Sequence, residues 1–331
     1  MYLLRKLFRP ELFQGAYKKR NYFEGWYYKL ISKDLTSSYA IIPGIALGQG
    51  RADNHAFVQV INGKNGQVHY FRYPAASFNY DKRKFNITIG ENSFSRDYLR
   101  LVLSNSNVNI HGSLDFYNIV PFPRSLCNPG IMGPYSFVPF MECYHGIINI
   151  NHNVTGKLHA NGTALDFTAG EGYLEKDYGK SFPSEWIWIQ ANHFDAERTC
   201  FMFSIARIPW LGSSFIGIIC FILHRKRLYL FATYNKTRVE HMTLNDKTFS
   251  AQLTRKDLVL QLKATGSQGG FLKAPKNGLM KREIEESITA CVEVKLVDSK
   301  GIIFSGTSPN AGYELSSGAQ QLFNRTCAKP G

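Results

Sequence analysis

Within residues 171–193 the chain carries Glu171, Glu175, Asp177, Glu185, Trp186, Trp188, Asn192 and His193. Acids set among large aromatic faces suit chemistry through a carbocation. A carboxylic acid kept protonated in apolar surroundings donates its proton to a weak base such as an alkene. Ring faces carry the negative charge that steadies the resulting cation. The bland alternative has Lys176 and Lys180 pairing with the acids at the surface while the tryptophans fill strand cores. A second constellation lies in residues 129–146, PGIMGPYSFVPFMECYHG, where Glu142 and His145 stand among apolar neighbours. Burial would raise the carboxyl of Glu142 and let it work with His145 as an acid–base pair. Otherwise Glu142 satisfies loop amides and His145 is a hydrogen-bonded core residue. A third is Trp26, two residues after Glu24: either it plugs a barrel end, or Glu24 and Tyr27 line a cavity beside it.

Other chemistries find little support in the sequence. His145, His152 and His159 recur every seven residues, which fits neither a strand face nor a zinc signature, so no metal is expected. No G-x-G-x-x-G after a strand, phosphate-binding loop or G-x-S-x-G elbow occurs, so no nucleotide cofactor or serine nucleophile is expected.

The elements that must position these residues read as strands. Residues 55–61 and 68–73 flank the turn-forming Asn62-Gly63-Lys64-Asn65-Gly66, a hairpin signature. Short apolar runs follow at 84–89, 98–103, 108–111, 114–117, 151–160, 163–169, 186–191, 200–208, 214–223, 228–233, 238–244, 249–255, 258–264 and 288–297. About sixteen strands at this spacing make an all-β protein of barrels or sandwiches, enough for two barrels. Helical periodicity is confined to residues 2–8 and a turn near Ser184. The proline-rich stretch 121–142 is a long loop of the kind that often carries function. An acid precedes a Trp-led strand at both Glu24–Trp26 and Glu185–Trp186, the echo expected of related barrels in tandem.

The chain has 331 residues, is 44% hydrophobic and carries a formal charge of +14. It can build a large core, and it favours an anionic partner. Its basic residues fall in short clusters, Arg5-Lys6, Lys18-Lys19-Arg20, Lys82-Arg83-Lys84 and Arg225-Lys226-Arg227, none inside a nucleic-acid motif. They read first as solvated surface, then as a contact for anionic lipid, with no nucleic-acid partner. The six cysteines show no metal spacing and are expected to be free thiols in a reducing compartment, with Cys143, Cys200, Cys220 and Cys291 buried in apolar runs. The first residues lack the features of a signal peptide, and the longest apolar run, 216–223, is too short to span a bilayer. A cytoplasmic, membrane-peripheral location is the expectation.

Four stretches, FEGWYYK (23–29), PGIMGPYSFVPFMECYHG (129–146), GYLEKDYGKSFPSEWIWIQ (172–190) and IPWLG (208–212), resemble the tocopherol cyclase family, itself similar to carotenoid hydratases and to a set of Diels–Alder-type cyclases. The resemblance implies two tandem lipocalin-like antiparallel β-barrels, here expected over 21–180 and 181–331 after a basic segment 1–20. It also implies alkene protonation beside a hydroquinone ring, capture of the tertiary cation by the phenol oxygen and a chromanol product, with no cofactor. Asp177 is the first expectation for the proton donor, with Glu175 and Glu142 next. Trp26, Tyr27, His145, Tyr173, Trp186 and Trp188 would shape the pocket, and Asn192 and His193 would orient donor or phenol. The partner would be a prenyl quinol or another isoprenoid lipid. Two alternatives stay open: a non-catalytic carrier of lipophilic ligands, and a hydratase in which water replaces the phenol.

Overall fold

The computed structural model describes residues 6–195, 198–210 and 212–327. The helix expected over 2–8 falls largely outside them. The chain divides into two units, residues 1–182 with 272–283, and residues 183–271 with 284–331.

The first unit is built on a 12-stranded antiparallel sheet. Its strands are β1 (Tyr22–Ile31), β2 (Ser38–Leu47), β3 (His55–Asn62), β4 (Val68–Pro74), β5 (Phe78–Tyr80), β6 (Asn86–Ile89), β7 (Asn92–Ser95), β8 (Tyr98–Ser104), β9 (Asn109–Pro121), β10 (Cys143–Ala160), β11 (Thr163–Asp166) and β12 (Gly170–Gly179). Spatial order is β4-β3-β2-β1-β12-β10-β9-β8-β7-β6-β5, with β11 on β10. The two edges, β4 and β5, are consecutive in the chain and joined by one 3-10 turn, Ala75–Ser77, so the sheet curls into a nearly closed barrel. Alternation along β1 sends Tyr22, Trp26, Tyr28 and Leu30 into the barrel core, where they meet Phe94, Leu99, Leu114 and Leu174.

The second unit is built on a 10-stranded sheet of β13 (Trp186–Ala191), β14 (Cys200–Trp210), β15 (Ser213–His224), β16 (Arg227–Ala232), β17 (Arg238–Asn245), β18 (Thr248–Arg255), β19 (Leu258–Thr265), β20 (Gly270–Lys276), β21 (Leu279–Asp298) and β22 (Gly301–Leu315), although residues 272–283 of β20 and β21 are counted with the first unit. Its order, β16-β15-β14-β13-β22-β21-β19-β18-β17, repeats the logic of the first: a four-strand meander, edges joined by a 3-10 turn, and a last strand returning beside the first. Its core is Ile187, Ile189, Phe201, Phe203, Phe231, Leu260 and their neighbours. A C-terminal helix α1 (Ala319–Cys327), not expected from the sequence, sets Leu322 into that core. The all-β architecture of lipocalin-like barrels is as expected.

Cys127, Cys143, Cys200, Cys220 and Cys291 form no disulfide; of the four expected to be buried, Cys200 and Cys220 are, Cys143 is half-buried and Cys291 is exposed. It stands on β21 where Ala290 and Val292 take the core positions, so its side chain alternates outward. No helix among the described residues is long and apolar enough to cross a membrane.

Candidate active site

Strand register decides which chemical groups can meet. On β12, Leu174 joins the barrel core and Tyr178 packs against it, which turns Tyr173, Glu175 and Asp177 to the outer face. β10 lies beside β12 with His145 opposite Asp177 and Ile147 opposite Glu175. Opposed residues in an antiparallel pair share a face. His145 Nδ1 therefore sits 2.9 Å from Asp177 Oδ1, and its Nε2 3.4 Å from Glu175 Oε2. The Tyr173 hydroxyl donates to Glu175 Oε2 at 2.6 Å. The four form one continuous polar line, Asp177–His145–Glu175–Tyr173. Tyr173 and Glu175 are buried, whereas the Asp177 side chain keeps 23% of its exposure, so the aspartate is the open end.

The flanks are defined by the same register. On β1, Tyr27 stands opposite Glu175 and Lys29 opposite Tyr173, both buried. Cys143 Sγ approaches Asp177 Oδ1 at 3.8 Å, and burial together with the charges of Asp177 and Glu142 pushes its thiol well up, so it stays protonated. Sequence reasoning missed Lys29 and this role of Cys143; the available signal was two-residue alternation from Tyr27 and from His145.

Glu142 immediately precedes β10, but its carboxyl answers to other groups. Burial raises it, while the Ser181 hydroxyl, Lys180 and Arg282 pull the other way. His145 takes Asp177 and Glu175 as its partners, so the expected Glu142–His145 pair is replaced by a different one. One ligand atom from each of His145, Glu175 and Asp177 lies within 4.8 Å of the others, so the fold assembles a possible divalent-cation trio that the histidine spacing did not suggest. Of the three seven-spaced histidines only His145 joins it. His152 points to the barrel core against Phe116, with ring centroids 4.3 Å apart, and His159 stacks on His111 at 5.1 Å. Burial drives His152 down to about 3, so it is neutral at ordinary pH.

Trp26 lies on the core side, away from this line. It stacks on Phe85 at 5.5 Å, donates its indole N–H to the Glu11 carbonyl, and has the Lys176 ammonium 4.9 Å from its ring. Lys176 pairs with Glu24 at 2.6 Å, both essentially buried. Burial lowers the lysine's affinity for its proton and Glu24 restores part of it. The segment before β1 closes this barrel end. Lys176 donates to the carbonyls of Pro10 and Leu12, and Glu24 accepts from the backbone of Gln14 and Gly15 and from the Tyr22 hydroxyl.

The remaining expected residues belong to the second unit. Trp186 and Trp188 alternate with core residues Ile187 and Ile189 on β13 and so lie on its outer face, buried. The Trp186 indole donates to Glu314 at 3.0 Å. Asn192 is buried, and neither atom of its amide has a hydrogen-bond partner among the described residues; His193 beside it is half-buried. In the first unit a cavity of about 780 Å³ opens at the barrel mouth opposite the acidic line. Tyr39, Val60 and Ile110 form its floor and Thr36, Lys64 and Asn161 its rim.

The family model described as tocopherol cyclase-like matches residues 113–317. No curated protein matches the sequence. Among solved structures, CghA superposes with a TM-score of 0.55 at 11% identity, covering 89% of this chain and 88% of its own. CghA with Sch210972 gives 0.54 at 11% identity over the same shares. Kievitone hydratase from Nectria haematococca gives 0.51 at 10% identity, covering 89% of each chain. At such identities these likenesses speak for the fold.

Proposed function

Because the chain belongs to the tocopherol cyclase-like family, we propose that it is an acid-catalysed enzyme that adds a nucleophile across a prenyl alkene, with a prenylated hydroquinone as substrate and a chromanol as product. The observation that carries this reading is the line Asp177–His145–Glu175–Tyr173, which has a half-open carboxyl at one end and a buried tyrosine at the other.

In the proposed scheme the reaction draws on the proton shared at the Asp177 Oδ1–His145 Nδ1 contact, with His145 Nε2 facing the Glu175 carboxylate. Asp177 gives its proton to the less substituted alkene carbon, forming a C–H bond and a tertiary cation. The phenol oxygen then donates an electron pair to the cation and forms the ring C–O bond. Its proton returns to the Asp177 carboxylate, and no electrons are gained or lost. His145 holds Asp177 in position, and Tyr173 fixes Glu175 so that the imidazole is gripped at both nitrogens, which is the preorganisation such a step requires. Tyr27, buried on the same face opposite Glu175, supplies an aromatic ring for the cation.

Purified protein incubated with a prenylated methylhydroquinone tests this by product mass. An isomer of the substrate supports cyclisation, and a product heavier by one water supports the hydratase alternative. The barrel-mouth cavity favours a second reading, a carrier of lipophilic ligands, for which the compound would be recovered unchanged but bound.

A further inference from the structure

We infer that the first unit docks on an anionic lipid surface through the barrel end that carries its N-terminal segment. The inference stands apart from the catalytic reading. Large apolar side chains lie open at this end. Phe140 is 90% exposed and Leu126 81% exposed, and Phe137, Phe8 and Leu7 are exposed beside them. Phe140 also sits at φ +63°, a left-handed conformation that is rare for an aromatic residue, so the backbone is held in an unfavourable state to present a ring to solvent.

Leu126, Phe137 and Phe140 belong to the loop before β10, and contacts tie that loop to the N-terminal segment. Phe8 packs edge-on to Phe137 at 6.1 Å. The Arg9 guanidinium donates to the Arg83 carbonyl, which brings the 81–85 turn alongside, and Arg124 bonds Glu11 at 2.9 Å, which ties the proline-rich loop to the same segment. Phe13 packs tilted against Tyr80, with ring centroids 4.5 Å apart.

The segments that neighbour this end, 18–20 in sequence and 82–84 through Arg9, are basic. Lys18, Lys19, Arg20, Lys82, Arg83 and Lys84 are all exposed, and Glu11 is already matched by Arg9 and Arg124. Exposed aromatic and aliphatic side chains framed by lysine and arginine fit the boundary of an anionic bilayer, where the apolar groups enter the acyl region and the cations meet headgroups. A nucleic acid would use the cations but gain little from Phe140 and Leu126. The tip leads directly into β10, whose third residue is His145, so a lipid taken from the membrane would arrive beside the acidic line.

Flotation of the full chain with phosphatidylcholine vesicles, with and without phosphatidylserine, tests this. Capture by the phosphatidylserine vesicles is expected, and added salt should weaken it. Leu126→Ser combined with Phe140→Ser should weaken it at least about tenfold, because two large side chains lose their apolar burial. Lys19→Glu with Lys84→Glu should abolish the preference for phosphatidylserine. All four positions are exposed, and matched thermal melts would verify that the variants fold. Absence of capture overturns the inference. So does capture that Leu126→Ser with Phe140→Ser leaves unchanged, which would mark a diffuse charge effect.

Discussion

Asp177 combines a hydrogen-bonded position with an open side, and among the carboxyls of the line it is the one a substrate can reach. Asp177→Asn preserves shape and removes the transferable proton. The expected outcome is a loss of about 10²- to 10⁴-fold in turnover, measured on a substrate the parent converts. Cys143→Ala touches the same aspartate without carrying a proton in the scheme and should change the rate only a few-fold. His152 makes a separate prediction on stability. Its folded value near 3 lies below the ordinary 6.5, so between those limits the unfolded chain binds the extra proton. Stability attributable to His152 is complete above about pH 6.5 and falls by roughly 1.4 kcal/mol per unit as pH drops toward 3. Denaturant titrations at several pH values should show a steeper acid decline for the parent than for His152→Gln. The same ring explains Gly172: a Cβ there would lie 2.2 Å from His152 Nε2.

Legibility at this scale was uneven. Asp177, Glu175, His145 and Tyr173 were named from the sequence and meet in the fold; Tyr173, Glu175 and Asp177 share a face because a compact motif on one strand needs only alternation. The pairing of His145 with Asp177 rather than Glu142 depends on the register between β10 and β12, which local sequence does not encode. Trp26 and Glu175 sit in neighbouring strands yet on opposite faces, a distinction decided by the parity of each strand against the core.

Among the elements, the segment closing the first barrel depends on the Glu24–Lys176 pair. Glu24→Gln leaves a buried ammonium without its countercharge and is expected to cost about 3–5 kcal/mol in chemical denaturation. Adding Lys176→Met removes the orphaned charge, so the double variant should be more stable than Glu24→Gln alone. Hairpins with clear turn residues were readable: 55–61 and 68–73 became β3 and β4, and 186–191 became β13. Six strands, β2, β5, β7, β12, β20 and β22, were not foreseen. β2 is buried almost throughout, so it lacks alternation, and Pro43 and Gly44 interrupt it as turn residues would. β12 carries buried Glu175 and Lys176, which hide its pattern. β22 is punctuated by Gly306, Pro309 and Gly312. Only 151–160 of β10 was expected, because its first half holds Gly146 and Asn149 and two register shifts.

Over the whole molecule, the two sheets share one strand order, and the acid-then-tryptophan echo marks equivalent places in it. Trp26 lies on β1 and Trp186 on β13, and each of these strands pairs with the last strand of its sheet. The echo preserves position but not role, since Trp26 fills a core and Trp186 faces outward to Glu314. The central claim is proton delivery from the acidic line to a substrate carbon. The measurement that tests it most directly is turnover of a prenylated methylhydroquinone in D2O, read by mass spectrometry for the parent and for Asp177→Asn and Glu175→Gln. The account predicts an isomeric product with one solvent deuterium on carbon, formed at a greatly reduced rate by the Asp177 variant. A product without that deuterium, or full turnover by both variants, would contradict it.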